Sequence, residues 1–409
     1  MNIAEAKQHI IHTVRAYLKR EADGSFTIPV EKQRPVLLMG PPGIGKTAIM
    51  EQIAQELQIN LVAYTITHHT RQSAIGLPFI VKRNYGGKEV SVTEYTMSEI
   101  IASLYDRIEQ TGVKEGILFL DEINCVSETL SPTMLQFLQY KTFGTHRVPE
   151  GFLIVAAGNP PEYNASVRDF DIVTLDRLRV MDVEASYEAW RSYALSMGVH
   201  GAVQAYLEIR KEHFYDLRVE PEGKRFVTAR GWEDLSRVIR AHEALSLPVD
   251  RALVRQFLQL DEIADAFATY YELWLKYRDI YKVGEILSGK KPEDAEKEAL
   301  RKAPFDEKLS LITMLTERLM QSFTGFTGDR QDAEKTDAEL THAFSFLAEV
   351  FGEGQEIVLF LQQLSAGTPS LRFLHEYGNE AYFKYNRLLL MDDRRADLQK
   401  EIRALSVEG

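Results

Sequence analysis

The octet Gly40, Pro41, Pro42, Gly43, Ile44, Gly45, Lys46, Thr47 constrains the fold of this chain more than any other feature. It follows directly on the apolar run PVLLMG, residues 35–40, which reads as a short buried strand. An alanine-, glutamine- and isoleucine-rich helix is expected next, over residues 46–57. Glycines let a backbone turn its N–H groups inward around phosphate oxygens, and a helix N-terminus adds positive potential. In such a loop Lys46 reaches the outer phosphates and Thr47 offers its hydroxyl to magnesium. The pattern predicts phosphate groups with Mg2+ as occupants and an α/β framework of strand, loop and helix.

Further strands are expected at residues 61–67, 117–121, 152–157 and 178–183, alternating with helices such as 97–110 and 132–138. Strands separated by helices argue a parallel sheet with helices on both faces. The second strand of interest, ILFLDE, ends in two carboxylates: Asp121 to hold the metal, and Glu122 to orient and polarise an attacking water. IVAAGNP places Asn159 just beyond another apolar strand, where an amide can bond the water or the outer phosphate. A parallel sheet brings such strand ends to one edge.

Two arginines complete the expected site. Arg177, in TLDRLRV, is expected to reach across a subunit boundary towards charge developing on a transferred phosphoryl group, with Arg168 and Arg179 as competitors. Arg230, in TARGWEDL, opens a helix from which it reaches the phosphates in the same subunit.

With GPPGIGKT, LFLDEIN (118–124), AAGNP (156–160), LDRL (175–178) and TARGWEDLS from Thr228, the sequence resembles the AAA+ ATPases, and within them the MoxR-like branch. The resemblance covers roughly residues 1–247. It implies that Lys46 and Thr47 are the Walker A pair, Asp121 and Glu122 the Walker B pair, Asn159 the first sensor, Arg177 the trans-acting finger and Arg230 the second sensor. Ala229 stands where a proline often precedes that last arginine. The resemblance also implies a homo-oligomeric, hexameric ring that uses ATP hydrolysis for remodelling, assembly or cofactor insertion on a protein client, with a von Willebrand factor A domain protein as a partner. The fold expected is a P-loop NTPase parallel sheet of the AAA+ type over residues 1–184, a helical lid over 185–247 and an all-helical extension over 248–409. The alternatives are a nucleotide-gated scaffold without obligatory motor action, and a DNA-associated AAA+ motor or restriction subunit.

Residues 76–115 resemble the family's insertion near the second helix, and Gly86-Gly87 between short β-prone runs reads independently as a hairpin turn. Two polar stretches in the extension, from Ser288 and from Phe326, read as exposed turns or mobile linkers. Tyr270, Tyr271, Trp274 and Tyr277 read as helix packing.

Composition removes other classes. Cys125 is the single cysteine, which excludes an intrachain disulfide framework or a multi-cysteine metal site and reads as a packing residue. His68 and His69, with Arg71 beyond, do not make a chelate on an extended segment. The first 20 residues carry apolar positions Ile3, Ala6, Ile10, Val14 and Leu18 at helical spacing rather than the unbroken core of a secretion signal, and no run is long enough to insert into a membrane. A cytoplasmic protein is expected. The formal charge of −12 ranks nucleic acid as an unlikely partner.

Overall fold

In the computed structural model the described residues are 1–68, 72, 74, 76–163, 170–220, 223–326 and 329–387. His69, Arg71 and Arg168 lie outside them. The chain divides into two compact units, the first Met1–Ser186 and the second beginning at Tyr187.

The strands of the first unit are β1 (Val36–Met39), β2 (Asn60–Thr65), β3 (Pro78–Tyr85), β4 (Lys88–Tyr95), β5 (Gly116–Asp121), β6 (Thr142–Phe143), β7 (His146–Arg147), β8 (Phe152–Gly158) and β9 (Arg179–Asp182). Five of them form one sheet in the order β2-β5-β8-β1-β9, and every neighbouring pair is parallel. This is the parallel sheet expected of the phosphate-loop framework. Its central members β5 and β8 are buried almost throughout, which is why both read as unbroken apolar runs rather than alternating ones. Register matches Thr65 with Asp121, Leu120 with Ala156 and Met39 with Gly158, so the ends of β2, β5, β8 and β1 lie at one edge.

Helices α1 (Ile3–Leu18), α2 (Lys46–Leu57), α3 (Glu99–Thr111), α4 (Ser131–Tyr140) and the short α5 (Ile172–Leu175) surround this sheet. Asn2 and Glu5 close a capping box on α1, whose Ala6, Ile10, Ile11 and Val14 are buried as the helix packs on α2. A core of Leu37, Leu118, Leu120, Ile154, Phe137 and Phe152 fills one face of the sheet. Lys141, just after α4, is buried with its Nζ on the Val30 carbonyl at 2.7 Å. Burial pushes this ammonium down to about 8 against the opposing pull of Glu31.

The ribbon β3–β4 pairs only with itself, Tyr85 opposite Lys88 across Gly86 and Gly87. Both glycines have positive φ, 59° and 84°, as the two-residue hairpin turn needs. Ile80 is 76% exposed, and Phe79, Tyr85 and Val90 are exposed as well.

The second unit contains a hairpin of β10 (Asp216–Glu220) and β11 (Gly223–Val227) among helices α6 (Tyr187–Ser196), α7 (Gly201–Ile209) and α8 (Ala229–Ala244). The helices expected over residues 185–247 are joined there by this hairpin. The hairpin escapes an apolar-run criterion because its strands are short and charged, with Arg218 held by Asp216 and Glu262. Beyond residue 250 every described element is helical: α9 (Arg251–Arg255), α10 (Asp261–Tyr281), α11 (Val283–Leu287), α12 (Asp294–Lys302), α13 (Phe305–Gly325), α14 (Arg330–Phe351), α15 (Gln355–Ala366) and α16 (Thr368–Glu376). The polar stretch from Ser288 is therefore not simply a turn, because Glu293 and Glu296 form a capping box that starts α12 and Leu300 buries it. The stretch from Phe326 likewise enters α14 at Arg330.

Tyr270, Tyr271 and Trp274 of α10 are buried packing residues. His200 ahead of α7 accepts the Ala202 N–H on Nδ1, which assigns the proton to Nε2, 3.1 Å from Glu243. No helix of the described residues is long and apolar enough to cross a membrane.

Candidate active site

Local geometry explains the glycines of the phosphate loop. Gly43 and Gly45 have φ of 74° and 95°, a region costly for residues with a side chain. At Gly40 a Cβ would lie 2.5 Å from the Val183 carbonyl oxygen, where the loop leaves β1 beside the end of β9. Gly45 caps α2, and Ile44 is buried beneath the turn.

Lys46, only 8% exposed, donates from Nζ to the carbonyls of Gly40 at 2.6 Å and Pro41 at 2.9 Å and to Asn159 Oδ1 at 2.8 Å. Thr47 donates its hydroxyl to Asp121 Oδ2 at 3.0 Å. Four residues from three separate motifs thus meet in two direct contacts. Pro42 and Gly43 are half-buried in the same loop.

The acid pair sits on a sharp turn. Glu122 has a φ of 56°, unusual for a non-glycine residue, directly after strand β5. Its N–H donates to Asp121 Oδ1 at 3.0 Å, its carbonyl accepts from the Cys125 N–H at 2.9 Å, and Ile123 N–H reaches the Ala157 carbonyl at 2.9 Å. This turn sends the two carboxylates different ways: Asp121 to Thr47, and Glu122 Oε2 to the Thr67 hydroxyl at 3.1 Å. Cys125 is half-buried.

Two residues at this edge carry contacts that motif reading did not assign. Thr67 lies one turn past β2, which ends at Thr65 instead of running to residue 67. Asn124 is 3% exposed and bonds the Asn159 backbone from both ends of its amide. An amide side chain two residues after Glu122 was the available signal.

Two of the arginines are engaged within the first unit, away from the acid pair. Arg177 is exposed after α5 and donates to Gln139 of α4. Arg179 donates to the Thr13 hydroxyl at 2.9 Å, which commits it to α1. Arg230 is exposed in the first turn of α8, where Thr228 caps the helix through the Gly231 N–H.

The donor set at Thr47 and Asp121 fits a hard cation that takes oxygen ligands and shares phosphate oxygens and waters. Among the described residues no group of three or more His, Cys, Asp or Glu side chains is placed to hold a metal.

Residues 35–178 match the family model described as the AAA domain, dynein-related subfamily. The replication factor C large subunits of Pyrobaculum aerophilum and Pyrobaculum neutrophilum are 25% and 26% identical to this chain over 228 and 225 residues. Each alignment covers 53% of this chain and 46% of the relative, so the chain spans about half the length of these curated relatives.

These relatives overturn the expectation about partners, which set nucleic acid aside: both are subunits of a replication factor by name. The charge argument failed because −12 is a sum over the whole chain, whereas nucleic acid responds to the local field. Residues 276–291, KYRDIYKVGEILSGKK, carry five basic against two acidic side chains. The family match is also coarser than a MoxR-like branch. The chain carries an AAA+-type ATPase domain, with the phosphate loop Gly40–Thr47 at its sheet edge.

Proposed function

We propose that the protein binds ATP with Mg2+, hydrolyses it to ADP and phosphate, and uses the cycle on DNA or a DNA-bound assembly. The observation that carries the chemistry is the meeting of Lys46 with Asn159 and of Thr47 with Asp121 at the ends of β1, β5 and β8. Phosphate oxygens replace the Gly40 and Pro41 carbonyls as acceptors for Lys46 Nζ, while the loop N–H groups take the remaining charge. Thr47 and Asp121 would hold the metal ion, which neutralises phosphate charge when bound. Glu122 exchanges the Thr67 hydroxyl for a water and orients it towards the outer phosphate. Asn159 remains within reach of both Lys46 and that phosphate. Arg177 and Arg230 are assigned the task of bringing positive charge to the leaving phosphates.

The relatives' names and the basic stretch 276–291 support the DNA-associated reading. Arg278, Lys282 and Lys290 line an open depression of about 870 Å³, together with Glu285 and Ser288. The deciding measurement is ATP turnover with and without a short DNA duplex, paired with DNA binding between about 50 and 200 mM salt. Stimulated turnover with binding that weakens steeply over that range supports the reading. Turnover and binding indifferent to DNA at low salt would overturn it.

A second reading, remodelling of a protein partner as in the MoxR-like branch, is favoured by the exposed apolar side chains of β3–β4. Replacing Glu122 with glutamine separates either motor from a nucleotide-gated scaffold. A motor retains ATP binding and loses its action on the partner; a scaffold keeps partner binding under nucleotide control.

A further inference from the structure

Beyond the last paired residues of β5 and β8, Leu120 and Ala156, the segments leaving the two strands continue to be stitched together by other means. Ile123 N–H reaches the Ala157 carbonyl at 2.9 Å. Then Asn124 takes over with its side chain: Nδ2 donates to the Asn159 carbonyl at 2.8 Å, and Oδ1 accepts the Asn159 N–H at 3.3 Å. One amide therefore satisfies both backbone groups of a single residue, as a neighbouring strand would. The fit is close. A Cβ on Gly158 would lie 2.7 Å from Asn124 Oδ1 and 3.0 Å from Met39 Sδ, so only a glycine lets the amide in.

Asn159 has a short side chain, and fixing its peptide leaves its own amide few positions. That amide meets Lys46 Nζ at 2.8 Å. At the other end of the clamp, Asn124 sits two residues after Glu122, in the turn where Glu122 holds a φ of 56° and the Cys125 N–H closes back on the Glu122 carbonyl. The clamp thus joins the turn that aims Glu122 to the peptide that aims Asn159.

We propose that Asn124 is a positioning residue for ATP hydrolysis: it sets the placement of Asn159 against Glu122 without touching the nucleotide. This rests on the hydrolytic reading given above. Loss of the clamp frees Asn159 to move against Glu122 while leaving the phosphate loop intact, so turnover suffers more than binding.

The test is Asn124→Leu, of similar size and without hydrogen bonds, beside Asn124→Asp, which keeps the acceptor for the Asn159 N–H and loses the donor. The expected result for Asn124→Leu is a kcat about 10- to 100-fold lower, with ATP affinity changed by less than about 3-fold. Asn124→Asp should fall between the parent and Asn124→Leu. On an Asn159→Ala background, Asn124→Leu should lower kcat little further, because the group it positions is gone. An unchanged kcat, a loss confined to ATP affinity, or full additivity with Asn159→Ala would each overturn the proposal.

A readout independent of turnover separates this inference from the reading beneath it. Hydrogen exchange at the Asn159 amide should quicken by about 10-fold or more in Asn124→Leu, with the amides inside β8 unchanged. Unchanged protection at Asn159 removes the clamp whatever the enzyme does. A parent protein that binds ATP and never hydrolyses it, with the exchange result as expected, instead removes the hydrolytic reading and keeps Asn124 as the residue that pins Asn159.

Discussion

The two compact units put their buried polar groups to different uses. At the sheet edge of the first, buried or half-buried polar groups form two adjacent sets that packing alone does not require: Lys46 with Asn159 and Asn124, and Thr47 with Asp121 and the Glu122 N–H. In the second, Leu311, Leu315, Phe344, Leu347 and Phe360 make an apolar core, and polar groups tie helices together, in pairs such as Tyr270 with Ser310 and Gln363 with Thr313 or in the cluster of Glu243 with His200, Tyr271 and Arg278. A substitution in the first should be felt in chemistry before stability, and one in the second in stability before chemistry.

Glu122→Gln puts the most strain on that contrast. Turnover should fall by about 10²- to 10⁴-fold while ATP binding and thermal stability stay near those of the parent, read by steady-state kinetics and nucleotide titration. Phe344→Ala is its counterpart, expected to destabilise the second unit by about 3–5 kcal/mol. The three tryptophans, Trp190, Trp232 and Trp274, all belong to that unit, so a denaturant melt followed by their fluorescence reports it directly. If Phe344→Ala abolished ATP binding while the fluorescence melt stayed unchanged, the contrast would be wrong.

Gly40→Ala blurs the distinction from the other side, because it perturbs packing within the site: the methyl meets the Val183 carbonyl, at a cost of about 1–3 kcal/mol. Weaker ATP binding and a lower melting temperature should appear together.

Proton linkage sharpens the comparison. Burial raises the Glu243 carboxyl, but the His200 ring, the Tyr271 hydroxyl and Arg278 outweigh it and bring the group down to about 2. A folded-state value below the unfolded one contributes stability at pH above 4.5 that is lost as pH falls towards 2, so acid should weaken the second unit. Lys141 in the first unit is lowered from 10.5 to about 8, so its ammonium carries a penalty at neutral pH that is relieved between those values. Stability of the first unit should rise over that interval, and Lys141→Met should flatten the rise, measured by hydrogen exchange within β5 and β8. The smallest effect belongs to Lys82→Ala on the exposed ribbon, where the ion pair with Glu89 at 2.8 Å is solvated and a change below about 0.5 kcal/mol is expected.

What was legible in the sequence follows from the same contrast. The strands of the parallel sheet are buried on both faces, so 117–121 and 152–157 announced themselves as apolar runs to within a residue or so of β5 and β8. Gly86-Gly87 named its own turn, because few other residue pairs adopt two positive φ angles. The hairpin β10–β11 was illegible because exposed, charged strands have no core-facing alternation to display. Helix α12 was obscured by the polarity of a sequence whose capping box is visible only once residue 293 is known to be its start. At the site, the motif residues carried their own spacing, whereas the pairing of Asn124 with the Asn159 peptide spans 35 residues and depends on the strand order. The arginines show the limit most plainly: TLDRLRV offers two equivalent-looking side chains, which the bonds from Arg177 to Gln139 and from Arg179 to Thr13 tell apart.

The strand order also bears on how the chain acquires its shape. Strand β1 is the first of the sheet to be synthesised, yet its two neighbours, β8 and β9, are the last. Until residues 152–182 have emerged, the strand leading into the phosphate loop has no partner on either side, while β2 and β5 can already pair. Nucleotide affinity should therefore appear late and abruptly along a series of lengthening nascent chains, and any pause before residue 182 would leave the apolar run 35–39 available to chaperones or to aggregation.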